Sequence, residues 1–391
     1  MKNIVGTPAR GENFFRRVIE VQKILTSLEN GNNVQIAAPR RVGKTSILFH
    51  MLDKQIGGYR YVYADTESVD TEEAFYKKLL KEILKLDKMA SAAARLLKTG
   101  GAIARKIKSI KVATVGVDFH EEEKEVSYYD DLVHLLSGLG AEEESQLILL
   151  IDEFPQTILN IVSVHGVDAA IHFLQSNRTM RLNPDIVDKV RFIYTGSIGL
   201  NHTVAAIDST AFINDLNTLE IGPLSQADGR TLLADLLAFR KASIKPEAVD
   251  YLLGKLEWLI PFHIQLLVQE LLRQPLADNQ VDTHHVDRAF DEIIAARNES
   301  HFAHYFSRLR VQFKGDDLRY AIAILQFIAQ NGTITSAQLL DQAVQLNTRE
   351  QYRNIVEILV YDGYINNIGD PSLFRFNSPV VRSWWLKYKC Q

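Results

Sequence analysis

The sequence predicts an α/β fold with a mostly parallel sheet, followed by an all-helical segment and a small C-terminal unit of helices and strands. Three observations predict it. Apolar strand-like runs alternate with amphipathic helical stretches over residues 16–221, the pattern of crossover units. The run Leu147 to Ile151 is apolar at every position, as in a central strand covered on both faces. After Pro223-Leu224 the periodicity turns helical.

The elements follow in order. Residues 16–30 place Val18, Val21, Ile24, Leu25 and Leu28 on one helical face, and Asn30-Gly31-Asn32-Asn33 stops that helix. Val34 to Ala37 is a short strand entering Pro39-Arg40-Arg41-Val42-Gly43-Lys44-Thr45-Ser46 and a helix to about Lys54. Tyr59 to Ala64 is a second strand, rich in Tyr and Val, and helix 71–86 starts at Thr71. After the Leu147 to Ile151 strand come helix 166–178, strand Val190 to Tyr194 and a last strand from Asn217 to Ile221. Helices are expected near 225–240, 246–257, 261–274 and 283–297, the third opened by Pro261. From about 316, helices 318–330, 336–345 and 348–361 precede two short strands around Gly369-Asp370-Pro371-Ser372. Three helices and a β-wing read as a winged-helix pattern.

The chain has 391 residues, 46% apolar and 24% charged, with a net charge of −4. This is a globular composition; wholesale disorder and a collagen-like repeat are excluded, and the global field does not favour unspecific coating of nucleic acid. Cys390 is the single cysteine, so neither an internal disulfide nor a Cys-based zinc site can form. The N-terminus lacks the apolar core of a signal peptide, and no apolar run approaches the roughly 20 residues of a membrane span. A cytoplasmic protein without membrane contact is the expectation. Residues 88–117 carry seven Lys or Arg and no acid, whereas residues 118–131 carry seven acids and one Lys. An insertion, a helix plus an edge hairpin, with opposed solvated charges accounts for this; a basic contact surface is the alternative.

Three motifs carry chemistry. Ala38-Pro39-Arg40-Arg41-Val42-Gly43-Lys44-Thr45 matches G-x-x-x-x-G-K-[ST] with Ala38 in place of the first glycine. In such a loop successive N–H groups at a helix N-terminus surround a phosphate, Gly43 permits close approach, Lys44 reaches the β and γ oxygens, and the Thr45 hydroxyl ligates Mg²⁺. Ala38 is a cost only where that position needs positive φ. Next, Leu147 to Ile151 ends in Asp152-Glu153, two carboxylates at the sheet edge where open α/β folds bind ligands. Asp152 would hold Mg²⁺ through water and Glu153 would activate the attacking water. Finally, Thr195-Gly196-Ser197 ends a strand in small hydroxyl residues, so Thr195 or Ser197 can sense the γ-phosphate; turn chemistry is the plainer explanation.

With these residues the chain resembles the archaeal-type ATPases of the STAND class, P-loop NTPases related to AAA+ proteins. The resemblance also rests on Gly6-Thr7-Pro8, Asn13-Phe14-Phe15-Arg16-Arg17, Phe154-Pro155, Phe212-Ile213-Asn214-Asp215, Gly222-Pro223-Leu224, Phe376-Asn377-Ser378-Pro379 and Trp384-Trp385. It implies a P-loop NTPase αβα sandwich over residues 1–223 (with the charged insertion 88–131), a helical lid over 224–312 and a winged-helix domain over 313–391. It also implies that residues 38–46 hold ATP or ADP, with Lys44 and Glu153 catalytic and Mg²⁺ on Thr45 and Asp152. Residues 13–17 would approach the adenine. The Gly-x-Pro element that often opens the lid helix reads Leu259-Ile260-Pro261, so only Pro261 carries over, and His263 reads as a cap or surface residue. The sequence ends at Gln391, after the winged helix, so the nuclease-like domain of many relatives is not expected.

Arg40, Arg41, Arg178 and Arg181 are arginine-finger candidates, the last two placed to face a second subunit. The winged helix is nearly neutral: Arg349, Arg353, Arg375 and Arg382 are offset by Asp341, Glu350, Glu357, Asp362 and Asp370. A structural or switching role is therefore favoured over DNA contact. The expectation is an ATP hydrolase acting as a nucleotide-controlled switch, slow without an unidentified protein partner or a homo-oligomer formed with ATP. The alternatives are a DNA-acting ATPase using residues 88–117 and the winged helix, and a non-hydrolysing partner-binding module.

Overall fold

The computed structural model describes residues 1–86, 127–139, 145–367 and 369–390. The segment 88–117 and most of the acidic stretch after it lie outside the described residues. The chain forms two compact units, one of residues 17–37 and 47–220, the other of residues 1–16, 38–46 and 221 onward.

The first unit is built on a five-stranded parallel sheet of β1 (Asn33–Ala37), β2 (Arg60–Asp65), β3 (Leu147–Asp152), β4 (Val190–Thr195) and β5 (Leu216–Glu220), in the order β2-β3-β4-β1-β5. Every residue of β1, β3 and β4 is buried, which explains the unalternating apolar run of β3; β1 and β4 also bury Asn33, Gln35 and Arg191. Edge strand β5 exposes Asn217, Thr218 and Glu220, polar groups suited to an open edge. Ile36 pairs with Thr195, Ile151 with Tyr194 and Asp65 with Asp152. The C-terminal ends of β1, β4 and β3 thus lie side by side on one edge, with β4 in the middle.

Where one helix, 166–178, was expected between β3 and β4, there are two, Phe154–His165 and Val167–Arg181. Gly166 separates them with φ 87, a left-handed conformation that stops the first helix. The unit also holds a short helix, Leu200–Ala205. Arg181 is 1% exposed; its Nε donates to Asp215 Oδ2 at 2.7 Å and its Nη2 to Asp215 Oδ1 at 2.8 Å. This corrects its placement as an arginine-finger candidate, because a guanidinium committed to an internal carboxylate cannot face a second subunit.

The second unit begins its main run with helices Gln226–Ala238, Pro246–Leu256, Pro261–Leu271 and Thr283–Ile293, joined by the two-residue strands β6 (Ser243–Ile244) and β7 (Gln280–Val281). A further helix, Ser300–Gln312, fills a stretch to which the sequence analysis assigns no element. Its start carries no side-chain cap, and His301, His304, Ser307 and Arg308 interrupt its apolar spacing. Helix Gly315–Asn331, β8 (Thr333–Thr335), helices Ser336–Gln345 and Tyr352–Tyr361, β9 (Ile365–Asn366), β10 (Leu373–Phe376) and helix Pro379–Lys389 complete it. β10 pairs antiparallel with both β8 and β9, so the small sheet has a strand more than the sequence suggested. The last helix buries Trp384 and Trp385 completely. Among the described residues, no helix is long and apolar enough to cross a membrane.

Candidate functional site

The loop that matches the phosphate-binding motif leaves β1 at Ala37, and helix Lys44–Lys54 begins directly at its end. Gly43 turns the chain with φ 99 and Arg41 with φ 69, whereas Ala38 is not among the positive-φ residues. The alanine therefore carries no backbone penalty at the position where the motif has glycine. The first N–H groups of the helix have no intrahelical acceptor and face the positive end of its dipole, so the turn fits an anion. Lys44 is buried, and its Nζ donates to the carbonyls of Ala38 and Pro39, each at 3.1 Å. This holds the ammonium over the loop. Ser46 Oγ accepts from Ala9 N–H at 3.0 Å, which ties the N-terminal segment to the same turn.

The surroundings of the loop within the second unit come from distant sequence. The Arg41 guanidinium lies over the Phe262 ring, 4.4 Å from its centroid, directly after Pro261 at the start of its helix. His263 is fully buried, with Nδ1 3.4 Å from Ser378 Oγ, so it is neither a cap nor a surface residue. Burial, with Arg41 adding to it, lowers its pKa to about 3. Gly363 adopts φ +79 where a Cβ would meet Trp258 at 2.8 Å and Pro39 at 3.0 Å. Only a glycine admits this approach of the C-terminal segment to the loop.

The acidic strand end belongs to the first unit. Asp152 is 3% exposed at the C-terminus of β3. Its Oδ2 accepts from Tyr63 OH at 3.1 Å, and its Oδ1 from Glu153 N–H at 3.1 Å. Burial, and after it the Asp152 charge, raises the Tyr63 pKa strongly, so this phenol stays a proton donor. Thr66 N–H and Oγ donate to the Asp152 carbonyl at 3.0 and 2.9 Å, and Thr157 Oγ donates to the Thr66 carbonyl at 2.8 Å.

Glu153 sits in a left-handed conformation, φ 58 and ψ 30. Its Oε2 accepts from both the N–H and the Oγ of Ser197, each at 2.9 Å. The candidate base and the candidate sensor therefore share a hydrogen-bonded pair. Between them Gly196 is closed in: a Cβ there would stand 2.5 Å from Pro155 Cδ. Thr195 Oγ1 is buried with no hydrogen-bond partner among the described residues. Of the predicted residues, Asp152, Glu153, Thr195 and Ser197 thus gather on one sheet edge. Ala38, Pro39, Arg40, Arg41, Val42, Gly43, Lys44, Thr45 and Ser46 form a continuous loop and helix start, and Pro261 stands beside Phe262, which carries Arg41.

Sequence reading missed Tyr63, whose signal is only its place in a strand, and the side chains of helix Ser300–Gln312. There the spacing His301-x-x-His304 was a usable sign, because residues three apart share a helix face.

No family model and no curated relative matches the chain. Solved structures do. The Walker-type ATPase PABY2304 of Pyrococcus abyssi is 18% identical over 98% of this chain and 99% of that one, with a TM-score of 0.65. The Aeropyrum pernix ORC2 protein, in a structure described as ADPNP-ADP complexes, is 14% identical over 96% and 95%, with a TM-score of 0.56. At these identities the likeness is one of fold: over nearly its whole length this chain shares the fold of these two proteins, the kind of fold that the resemblance drawn from the motifs implied.

Proposed function

We propose that the protein binds ATP with Mg²⁺, hydrolyses it and acts as a nucleotide-controlled switch. The observation that carries this reading is a left-handed Gly43 at a helix N-terminus, followed directly by Lys44 and Thr45; Asp152 and Glu153 at the end of β3 support it by their chemistry. Residues 38–46 hold the phosphates, and Lys44 supplies their charge. Thr45 and Asp152 hold the metal ion, which would neutralise developing charge on the phosphates. Glu153 orients and deprotonates water, and Ser197 is the group that keeps or releases its carboxylate.

In this reading residues 1–223 form the nucleotide domain, residues 224–312 a lid and residues 313–391 a winged helix. The approach of Gly363 to Pro39 supports a switching role for that C-terminal part, because a change in the loop is felt there directly. A second copy of the chain in the ATP state and a protein partner complete the scheme. Arg178, whose side chain is 36% exposed, is the guanidinium of its helix best placed to serve in trans. DNA is a less favoured partner; affinity that falls steeply with salt is the behaviour it requires.

The test is Glu153→Gln, measured for phosphate release and ATP binding together. Binding is retained and turnover falls at least about tenfold. Unchanged turnover removes Glu153 from its role, and no phosphate release from the native chain, with or without partner, favours a non-hydrolysing module.

A further inference from the structure

Several polar groups in the same unit as Arg41 are buried without a hydrogen-bond partner among the described residues. Tyr305 is 4% exposed, Arg308 8% and His263 fully buried. Tyr305 OH, Arg308 Nε, His263 Nε2 and both ring nitrogens of His304 are buried with no hydrogen-bond partner among the described residues. His304, Tyr305 and Arg308 lie on helix Ser300–Gln312, His304 and Arg308 four residues apart on one face. The His304 and Tyr305 rings lie 4.3 Å apart, the Tyr364 OH donates to the Tyr305 carbonyl at 2.7 Å, and Arg308 Nη2 stands 3.8 Å from Asp362 Oδ1.

Arg40, Arg41 and Arg308 all act electrostatically on His304 and on Tyr305, and Arg41 also acts on His263 and His301. Against these guanidinium groups stands the Asp362 carboxylate beside Arg308. Burial and the arginines lower the His304 pKa to about 2, so this imidazole is neutral and can donate from one nitrogen. Unpaired buried donors cost free energy, and a cationic cluster with spare donors is complementary to a doubly charged oxyanion.

We propose that His304, Tyr305, Arg308, His263 and Arg41 form an oxyanion site that takes a phosphate group. The hydroxyl and imidazole N–H groups donate to its oxygens, while the two guanidinium groups balance its charge. Two sources share this chemistry: the terminal phosphate of a bound nucleotide, and free orthophosphate. The first rests on the nucleotide-binding reading of residues 38–46; the second does not.

The experiment uses the full chain and two variants, His304→Phe, which keeps an aromatic ring without its two nitrogens, and Tyr305→Phe, which removes only the hydroxyl. Each is titrated calorimetrically with the non-hydrolysable triphosphate AMPPNP plus Mg²⁺, with ADP plus Mg²⁺, and with orthophosphate. Loss of a hydrogen bond to a charged oxygen predicts a fall in affinity of about tenfold. A fall for AMPPNP with ADP unchanged assigns the terminal phosphate; orthophosphate bound by the native chain and lost in the variants assigns the free ion. Falls of less than about threefold for all three ligands overturn the site. If His304→Phe does not fold, Tyr305→Phe decides by the same limits. Failure of the nucleotide reading looks different: AMPPNP then binds Lys44→Ala as it binds the native chain, while the orthophosphate titration still reports on this cluster.

Discussion

The end of β3 and the neighbourhood of Arg41 solve the same problem, holding charge inside a protein, in opposite ways. At the strand end the polar groups answer one another: Tyr63 and Glu153 N–H donate to Asp152, and Ser197 donates twice to Glu153. Around Arg41, an aromatic face and neutral imidazoles stand where carboxylates would be expected. The first arrangement is preorganised and needs nothing added to be stable. The second is under-satisfied and gains most when a ligand arrives. The switching role proposed above would use both, a rigid edge that keeps its geometry and a region whose energy depends on what is bound.

The largest effect is expected from breaking another satisfied charge pair in the same unit as β3. Asp215→Ala leaves the Arg181 guanidinium buried without its carboxylate, and urea unfolding is expected to show a loss of about 3–5 kcal/mol. A loss below about 1 kcal/mol would mean the pair is not desolvated as the structure shows. Gly196→Ala comes next. Its methyl must displace Pro155 at the turn between Glu153 and Ser197, so overpacking costs about 1–3 kcal/mol and turnover falls with stability. Native stability with native turnover would show that this edge yields freely.

Acid probes the under-satisfied side. His263 and His304 have folded pKa values of about 3 and about 2, below the unfolded value near 6.5. The unfolded chain therefore takes up protons first, and the stability these rings contribute is present above pH 6.5 and lost as pH falls toward 3. Between pH 6.5 and 5.5 each histidine removes about 1 kcal/mol. His304→Phe should flatten the dependence of the urea midpoint on pH over that interval; an unchanged slope contradicts the buried neutral assignment. The smallest effect is expected from Ser197→Ala, which removes one of the two donors to Glu153 and costs about 0.5–1.5 kcal/mol. Its turnover separates the roles: a rise shows that Ser197 restrains Glu153, and a fall shows that it helps position it.

What was legible in the sequence follows the same division. The places of Lys44 and Thr45 at a helix start and of Asp152 and Glu153 at a strand end were legible from the local sequence, as was the apolar run of β3. The Glu153–Ser197 pair was not, since it joins residues 44 apart through the register of the sheet. Nor was the packing of Arg41 on Phe262, which brings together parts of the chain with no local code for each other. Helix Phe154–His165 was not legible because it follows the strand end directly, through a left-handed Glu153 and with Pro155 in its first turn. Arg181 and His263 looked like surface groups because a charged or polar residue on a helix usually is one; only the structure shows Asp215 beside the first and the closed surroundings of the second.

The most direct trial of the central claim is a fluorescence titration of a labelled ATP analogue with Mg²⁺ into the native chain and into Lys44→Ala. Saturable binding by the native chain and none by the variant is the predicted result. Micromolar affinity retained without the Lys44 ammonium would contradict the account at its base.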